Sequence, residues 1–145
     1  MTGTRAIEFA AVLTTALALV PAMAHALELP NKIRMEREDY LNAQRLYRGW
    51  QFVGIAVVAA LISTGLLLRI SGSLEFTWSL VAVLSVAATQ IVFWVFTFPV
   101  NRRTRNWTEA PANWRALRAR WEFSHAGSAA LNLLALICVA LVVVN

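Results

Sequence analysis

The 145-residue sequence predicts an all-α integral membrane protein, a four-transmembrane-helix bundle with an interfacial helix between spans one and two and a helical extension before span four. Three observations predict it. Hydrophobic residue types make up 59% of the chain, charged ones only 14%, and the mean hydropathy is +0.58, outside the range of ordinary soluble domains. Residues 7–26, 50–70, 76–100 and 125–144 each supply about 20 mostly apolar residues, enough for a helix to cross roughly 30 Å of hydrocarbon. The basic residues are lopsided: of 13 Lys and Arg, only Arg5 and Arg69 lie outside the connections joining spans one to two and three to four.

The first span carries Pro21, which membrane helices tolerate. Arg5, the apolar run and the small residues Ala22-Met23-Ala24 and Ala24-His25-Ala26 also match a cleavable leader. Cleavage would put the basic 32–48 connection on the translocated side, so the span reading is preferred. Residues 35–50 open with Glu36, Glu38 and Asp39 and close with Arg45 and Arg48, the charge order a helix dipole favours. An interfacial helix running into span two is expected there. Ser71-Gly72-Ser73 is a tight hairpin between spans two and three. Pro111 and Asn113 mark the start of a helix in which Trp114, Arg118, Trp121 and His125 recur at helical spacing and which continues into span four.

An even number of spans puts both termini on one side. The basic connections then lie in the cytoplasm, with residues 1–5 and Asn145 outside, in what is expected to be a bacterial inner membrane. The whole chain, 1–145, is one membrane domain. Net charge +5 points to anionic lipid rather than nucleic acid, which would need a soluble platform. The single Cys138 sits in an apolar run and reads as packing, without a disulfide or thiolate cluster. Oligomeric state is not legible.

Both histidines have a glutamate three residues away, His25 with Glu28 and Glu122 with His125, each at the loop end of a span. Side chains at i and i+3 share a helix face, so the two pairs could converge. Three readings stand: interfacial groups pairing with Arg48, Arg105 or Arg118; a site for a polar organic group; or a metal held by His25, Glu28, Glu122 and His125, although a di-metal bundle site normally needs further carboxylates. Gln90, Trp94, Thr97 and Asn101 follow one helical stripe on span three, and His125, Ser128 and Asn132 another on span four. Polar groups avoid hydrocarbon, so both should face the bundle interior, as a cavity lining or as interhelical hydrogen bonds. Trp50, Trp94, Trp107, Trp114 and Trp121 lie at the loop face and Trp78 opposite, an interfacial belt with room for a stacking role. No phosphate-binding loop, dinucleotide fingerprint or hydrolase triad is present.

Leu27-Glu28-Leu29-Pro30-Asn31-Lys32, Tyr47-Arg48-Gly49-Trp50, Phe98-Pro99-Val100-Asn101 and the run from Trp114 through Arg118 to Trp121-Glu122-x-x-His125 resemble the anthrone oxygenase-like family of small membrane proteins. The resemblance covers nearly the whole chain. It implies a four-helix membrane fold and, as in some members, oxidation of a lipophilic anthrone-type compound by dioxygen without a bound cofactor. It carries Glu28, Asn31, Asn101, Trp114, Arg118, Trp121, Glu122 and His125 as matching positions. Chemically, a base such as His125 or His25 would make a carbanion that reacts with dioxygen, with Arg118 or Asn101 near the resulting oxyanion. The expectation is catalysis by His125, His25 and Glu122, with substrate held by Glu28, Asn31, Gln90, Trp94, Asn101, Trp114, Arg118, Trp121 and Asn132. The rival is a non-enzymatic subunit or lipid-binding protein in which the same residues form a structural network.

Overall fold

A computed structural model describes residues 2–144, and they are all-helical. The helices are α1 (Gly3–Lys32), α2 (Arg37–Gln44), α3 (Gly54–Ile70), α4 (Phe76–Val92), α5 (Phe98–Arg103) and α6 (Trp114–Val144). Short 3₁₀ segments at Arg45–Tyr47 and Trp50–Val53 lead into α3. A π-helical segment, Phe93–Thr97, joins α4 to α5 so that Phe76–Arg103 is one rod of 28 residues. Met1 and Asn145, whose outward placement the charge asymmetry predicts, lie outside the described residues.

α1, the Phe76–Arg103 rod and α6 are long and apolar enough to cross a membrane, which suggests a membrane protein. The second apolar stretch is shorter than its sequence implies: α3 proper has 17 residues. Its first four residues, Trp50–Val53, are 3₁₀ rather than α-helical. Arg48 is extended and Gly49 has φ +94°, a backbone that glycine adopts at little cost, so the chain turns there instead of running helically from α2 into α3. Conversely, α1 runs six residues past the predicted end at Ala26, through both Pro21 and Pro30, and carries Lys32 on its last turn. The helix starting after Asn113 does continue unbroken into the last apolar stretch.

α1, α3, α4 and α6 form a ring, α1 against α3 and α6, α4 against α3 and α6. The contact surfaces carry small residues, Ala11, Ala18, Ala22, Ala60, Ala82 and Ala135, all buried, which lets backbones approach closely. Apolar large side chains such as Leu17, Ile62, Leu84 and Ile137 point outward. Hydroxyls join neighbours: Thr14 Oγ1 meets Ser63 Oγ at 2.7 Å, and Thr97 Oγ1 meets Ser124 Oγ at 2.8 Å. Cys138 is buried in the core shared by α1, α3, α4 and α6. Beyond the ring, Tyr40 of α2, Val100, Trp107, Trp114, Leu117 and Trp121 make a separate aromatic-rich core under the loops.

A buried imidazole and charge cluster at the loop end of the bundle

The last two turns of α1 put His25, Glu28 and Lys32 on one face, because residues three, four and seven apart stack along a helix. α6 answers with Arg118, Trp121, Glu122 and His125, and α2 with Tyr40. Lys32 is the hub. Its side chain is only 3% exposed, and its Nζ lies 3.0 Å from Glu122 Oε1, 3.6 Å from Glu28 Oε2 and 3.3 Å from His25 Nδ1. The ammonium also sits over the rings of Tyr47 at 4.5 Å and Trp121 at 5.1 Å, so aromatic faces complete its environment.

Glu122 is fully buried and receives a second charge-assisted bond, from Tyr40 Oη to Oε1 at 2.9 Å. Its Oε2 has no donor among the described residues. Tyr47 Oη donates to Glu28 Oε2. Burial, reinforced by Glu122, pushes the Tyr40 hydroxyl far above the ordinary tyrosine range. Burial and the Glu28 hydrogen bond push Tyr47 up as well. Each phenol is thereby held protonated as a donor to a carboxylate.

The imidazoles pack against each other in a tilted arrangement, with centroids 4.4 Å apart and ring planes at 41°. Trp121 closes on both, at 4.8 Å from His25 and 4.2 Å from His125, while Tyr47 and Trp50 cover the other side of His25. Trp121 itself is oriented by its indole N–H, which donates to Asn101 Oδ1 at 2.7 Å. His125 Nε2 is buried and meets no hydrogen-bond partner among the described residues.

The residues expected at the site divide accordingly. His25, Glu28, Asn101, Trp121, Glu122 and His125 are brought together. Arg118 and Trp114 stand one layer out: Arg118 stacks on Trp114 and Tyr40 and donates Nη1 to the Met35 carbonyl, leaving the carboxylates to Lys32. Arg105 is not a partner of either glutamate; it pairs with Glu109 at 2.7 Å, and Arg48 is exposed. Asn31, three residues after Glu28 on α1, is exposed.

The stripe on span three is also revised. Trp94 is 59% exposed and packs on Phe93 and Phe98, and Gln90 is half-buried. One residue added to a helical turn sets back everything after it by roughly 100°. Trp94, five residues after the buried Thr89, lies roughly 140° from it around the helix and so faces outward, while the π-helical segment keeps Thr97 on the buried face with Thr89. On span four Asn132 is buried and its Nδ2 reaches Ala18 O of α1 at 3.5 Å, while Ser128 is half-buried.

Sequence reasoning missed Lys32, Tyr40 and Tyr47 as site residues. Ending the first span at Ala26 assigned Lys32 to a loop. The spacings His25 to Lys32 and Glu28 to Lys32, seven and four residues, would have found it on a longer helix. As for a metal, no group of three or more His, Cys, Asp or Glu is arranged to hold one among the described residues. His25, Glu28 and Glu122 instead surround an ammonium.

Two cavities adjoin this end of the molecule. One, of about 450 Å³, is an apolar groove open to the outside between Val92, Phe96, Phe123 and Gly127, with Arg120 at its end. The other, of about 100 Å³, lies on the loop side between the Arg45–Tyr47 segment and the 106–108 turn. The fold and site together define a helical protein with membrane-length helices and a buried imidazole and charge cluster at one end of its bundle. In comparison with known proteins, no family model, curated sequence or solved structure matches the chain.

Proposed function

We propose that the protein is a four-span membrane protein whose loop-side cluster is an acid–base site acting on a lipophilic aromatic carbon acid, an oxygenase of the anthrone type that needs no bound cofactor. The observation that carries this reading is the unpartnered, buried Nε2 of His125 within an aromatic enclosure. A buried imidazole nitrogen without a partner costs about 1–3 kcal/mol, and its retention calls for a reason beyond packing. A lone-pair nitrogen beside Trp121 and a second imidazole is what proton abstraction from a planar carbon acid requires. Lys32 adds the positive charge that favours the enolate oxygen formed when the proton leaves. The methylene carbon then loses its two hydrogens and gains one oxygen atom of dioxygen as a carbonyl, and the other oxygen atom leaves as water.

In the same reading, Trp50–Val53 and α3 together make span two, 21 residues from Trp50 to Ile70, which brings the crossings to four. At 1.5 Å per residue this reaches roughly 30 Å. The basic connections then face the cytoplasm of a bacterial inner membrane. The resemblance of the Trp114 to His125 run to anthrone oxygenases supports the same chemistry.

The test is turnover of anthrone by protein in lipid nanodiscs, following dioxygen uptake and quinone absorbance against protein-free discs. One dioxygen consumed per quinone is expected, with His125→Ala lowering the rate on the order of a hundredfold or more while the variant remains folded. A rate no higher than that of empty discs rejects the oxygenase. The close packing around His25 favours a second reading, a non-enzymatic membrane subunit stabilised by the same network. It predicts that His125→Ala changes stability alone.

A further inference from the structure

The smaller cavity is chemically one-sided. Its polar walls are Gln44, Arg45, Arg48, Asn106, Trp107 and Thr108, and no carboxylate lines it. The nearest acid in sequence, Glu109, is engaged by Arg105 at 2.7 Å. Arg45 and Arg48, by contrast, have no ion-pair partner among the described residues. Two exposed arginines therefore line one small concavity, and no carboxylate of the described residues pairs with either.

A second, independent observation concerns Trp107, which also lines the cavity. Trp107 is 4% exposed, and its indole Nε1 has no acceptor among the described residues. Buried indole N–H groups normally find one. The turn that holds this wall is strained: Arg105, Asn106 and Trp107 have φ of 46°, 53° and 61°, three consecutive left-handed residues without a glycine. Such backbone costs on the order of a factor of ten or more in stability per residue, and where it persists it is overdetermined by its surroundings. Here Thr104 does that, accepting the Trp107 amide at 3.1 Å while donating to Val100 O at 2.9 Å.

We propose that this cavity binds a phosphate-type oxyanion. Its volume of about 100 Å³ has room for a tetrahedral anion. Two arginine forks match phosphate oxygens, the exposed Asn106 amide adds a neutral donor, and a small side-chain shift would bring in the enclosed, unpartnered N–H groups of Gln44 and Trp107. The anion comes either from a phospholipid headgroup or from free phosphate, since the cavity lies on the basic loop face. Through Trp107, which packs edge-on against Tyr40 at 4.9 Å, the occupied site would brace the phenol that holds Glu122.

The experiment uses the full chain in phosphatidylcholine nanodiscs, titrated with inorganic phosphate at constant ionic strength and followed by calorimetry and thermal midpoint. Saturable binding is expected. The double variant Arg45→Gln/Arg48→Gln should weaken it roughly tenfold or more, and Trp107→Phe several-fold, because charged and buried hydrogen bonds are lost. Arg115→Gln, an exposed arginine elsewhere on the same face, should leave it unchanged. Discs containing phosphatidylglycerol separate the sources: a headgroup ligand abolishes phosphate binding and raises the wild-type midpoint over that of the double variant, whereas a free-anion site binds phosphate equally in both discs. No saturable response to phosphate or to phosphatidylglycerol, or an equal response in Arg45→Gln/Arg48→Gln, overturns the proposal.

Discussion

Replacing Lys32 by methionine keeps the length of the side chain and removes its charge from the centre of the cluster. At 3.0 Å from Glu122 and an effective dielectric of about 20, the ion pair alone amounts to roughly 5 kcal/mol of Coulomb attraction. Against this stands the desolvation of two groups, 3% and 0% exposed, which cancels much of the gain. The asymmetry decides the outcome: Lys32→Met leaves a fully buried carboxylate with only Tyr40 as donor, a loss of about 3–5 kcal/mol. Glu122→Gln still offers an oxygen to Tyr40. The double variant Lys32→Met/Glu122→Gln removes both charges, so it should recover about 2 kcal/mol or more relative to the sum of the two single variants. The assay is reversible unfolding in mixed micelles with added dodecyl sulfate, read by helical circular dichroism in a double-mutant cycle. If Lys32→Met costs less than about 1 kcal/mol, or if the two losses simply add, Lys32 and Glu122 are not coupled and the cluster is not organised around them.

Three further outcomes follow from the same geometry. Stability should fall as pH rises above 10: Tyr40 and Tyr47 hold their protons in the fold with raised pKa, whereas unfolded tyrosines release theirs near 10.0, so the unfolded state binds fewer protons there; unfolding of wild type and of Tyr40→Phe/Tyr47→Phe across alkaline pH checks it, the double variant losing the slope these two contribute. Thr104→Val should cost about 1–3 kcal/mol by releasing the left-handed turn, measurable as a lowered midpoint together with faster amide exchange at residues 105–109. Single cysteines at Arg34 and Arg103, in a Cys138→Ala background, should resist an impermeant thiol reagent added outside whole cells; ready labelling there reverses the topology.

Much of the architecture was legible because bilayer physics leaves so few solutions. A run of about 20 apolar residues has to bury its backbone in a helix, whatever its neighbours are, so the helices and the continuous α6 could be read directly. The i, i+3 spacing of His25 with Glu28 and of Glu122 with His125 likewise placed each pair on its helix face. What the linear pattern did not contain was where one helix stops yielding to local signals. The apolar run ends at Ala26, yet α1 continues through Pro30 to Lys32; Gly49, invisible beside the apolar periodicity, breaks the path into α3. One π-helical turn kept Thr97 on the buried face with Thr89, a registry change that no α-periodic count can register. The tertiary structure alone decided that a lysine rather than an arginine answers Glu28 and Glu122, and that Tyr40, 82 residues away in sequence, shares the buried carboxylate. Partner choice of this kind depends on which side chains reach a common depth once three helix ends have packed, and that distance is a property of the assembled bundle.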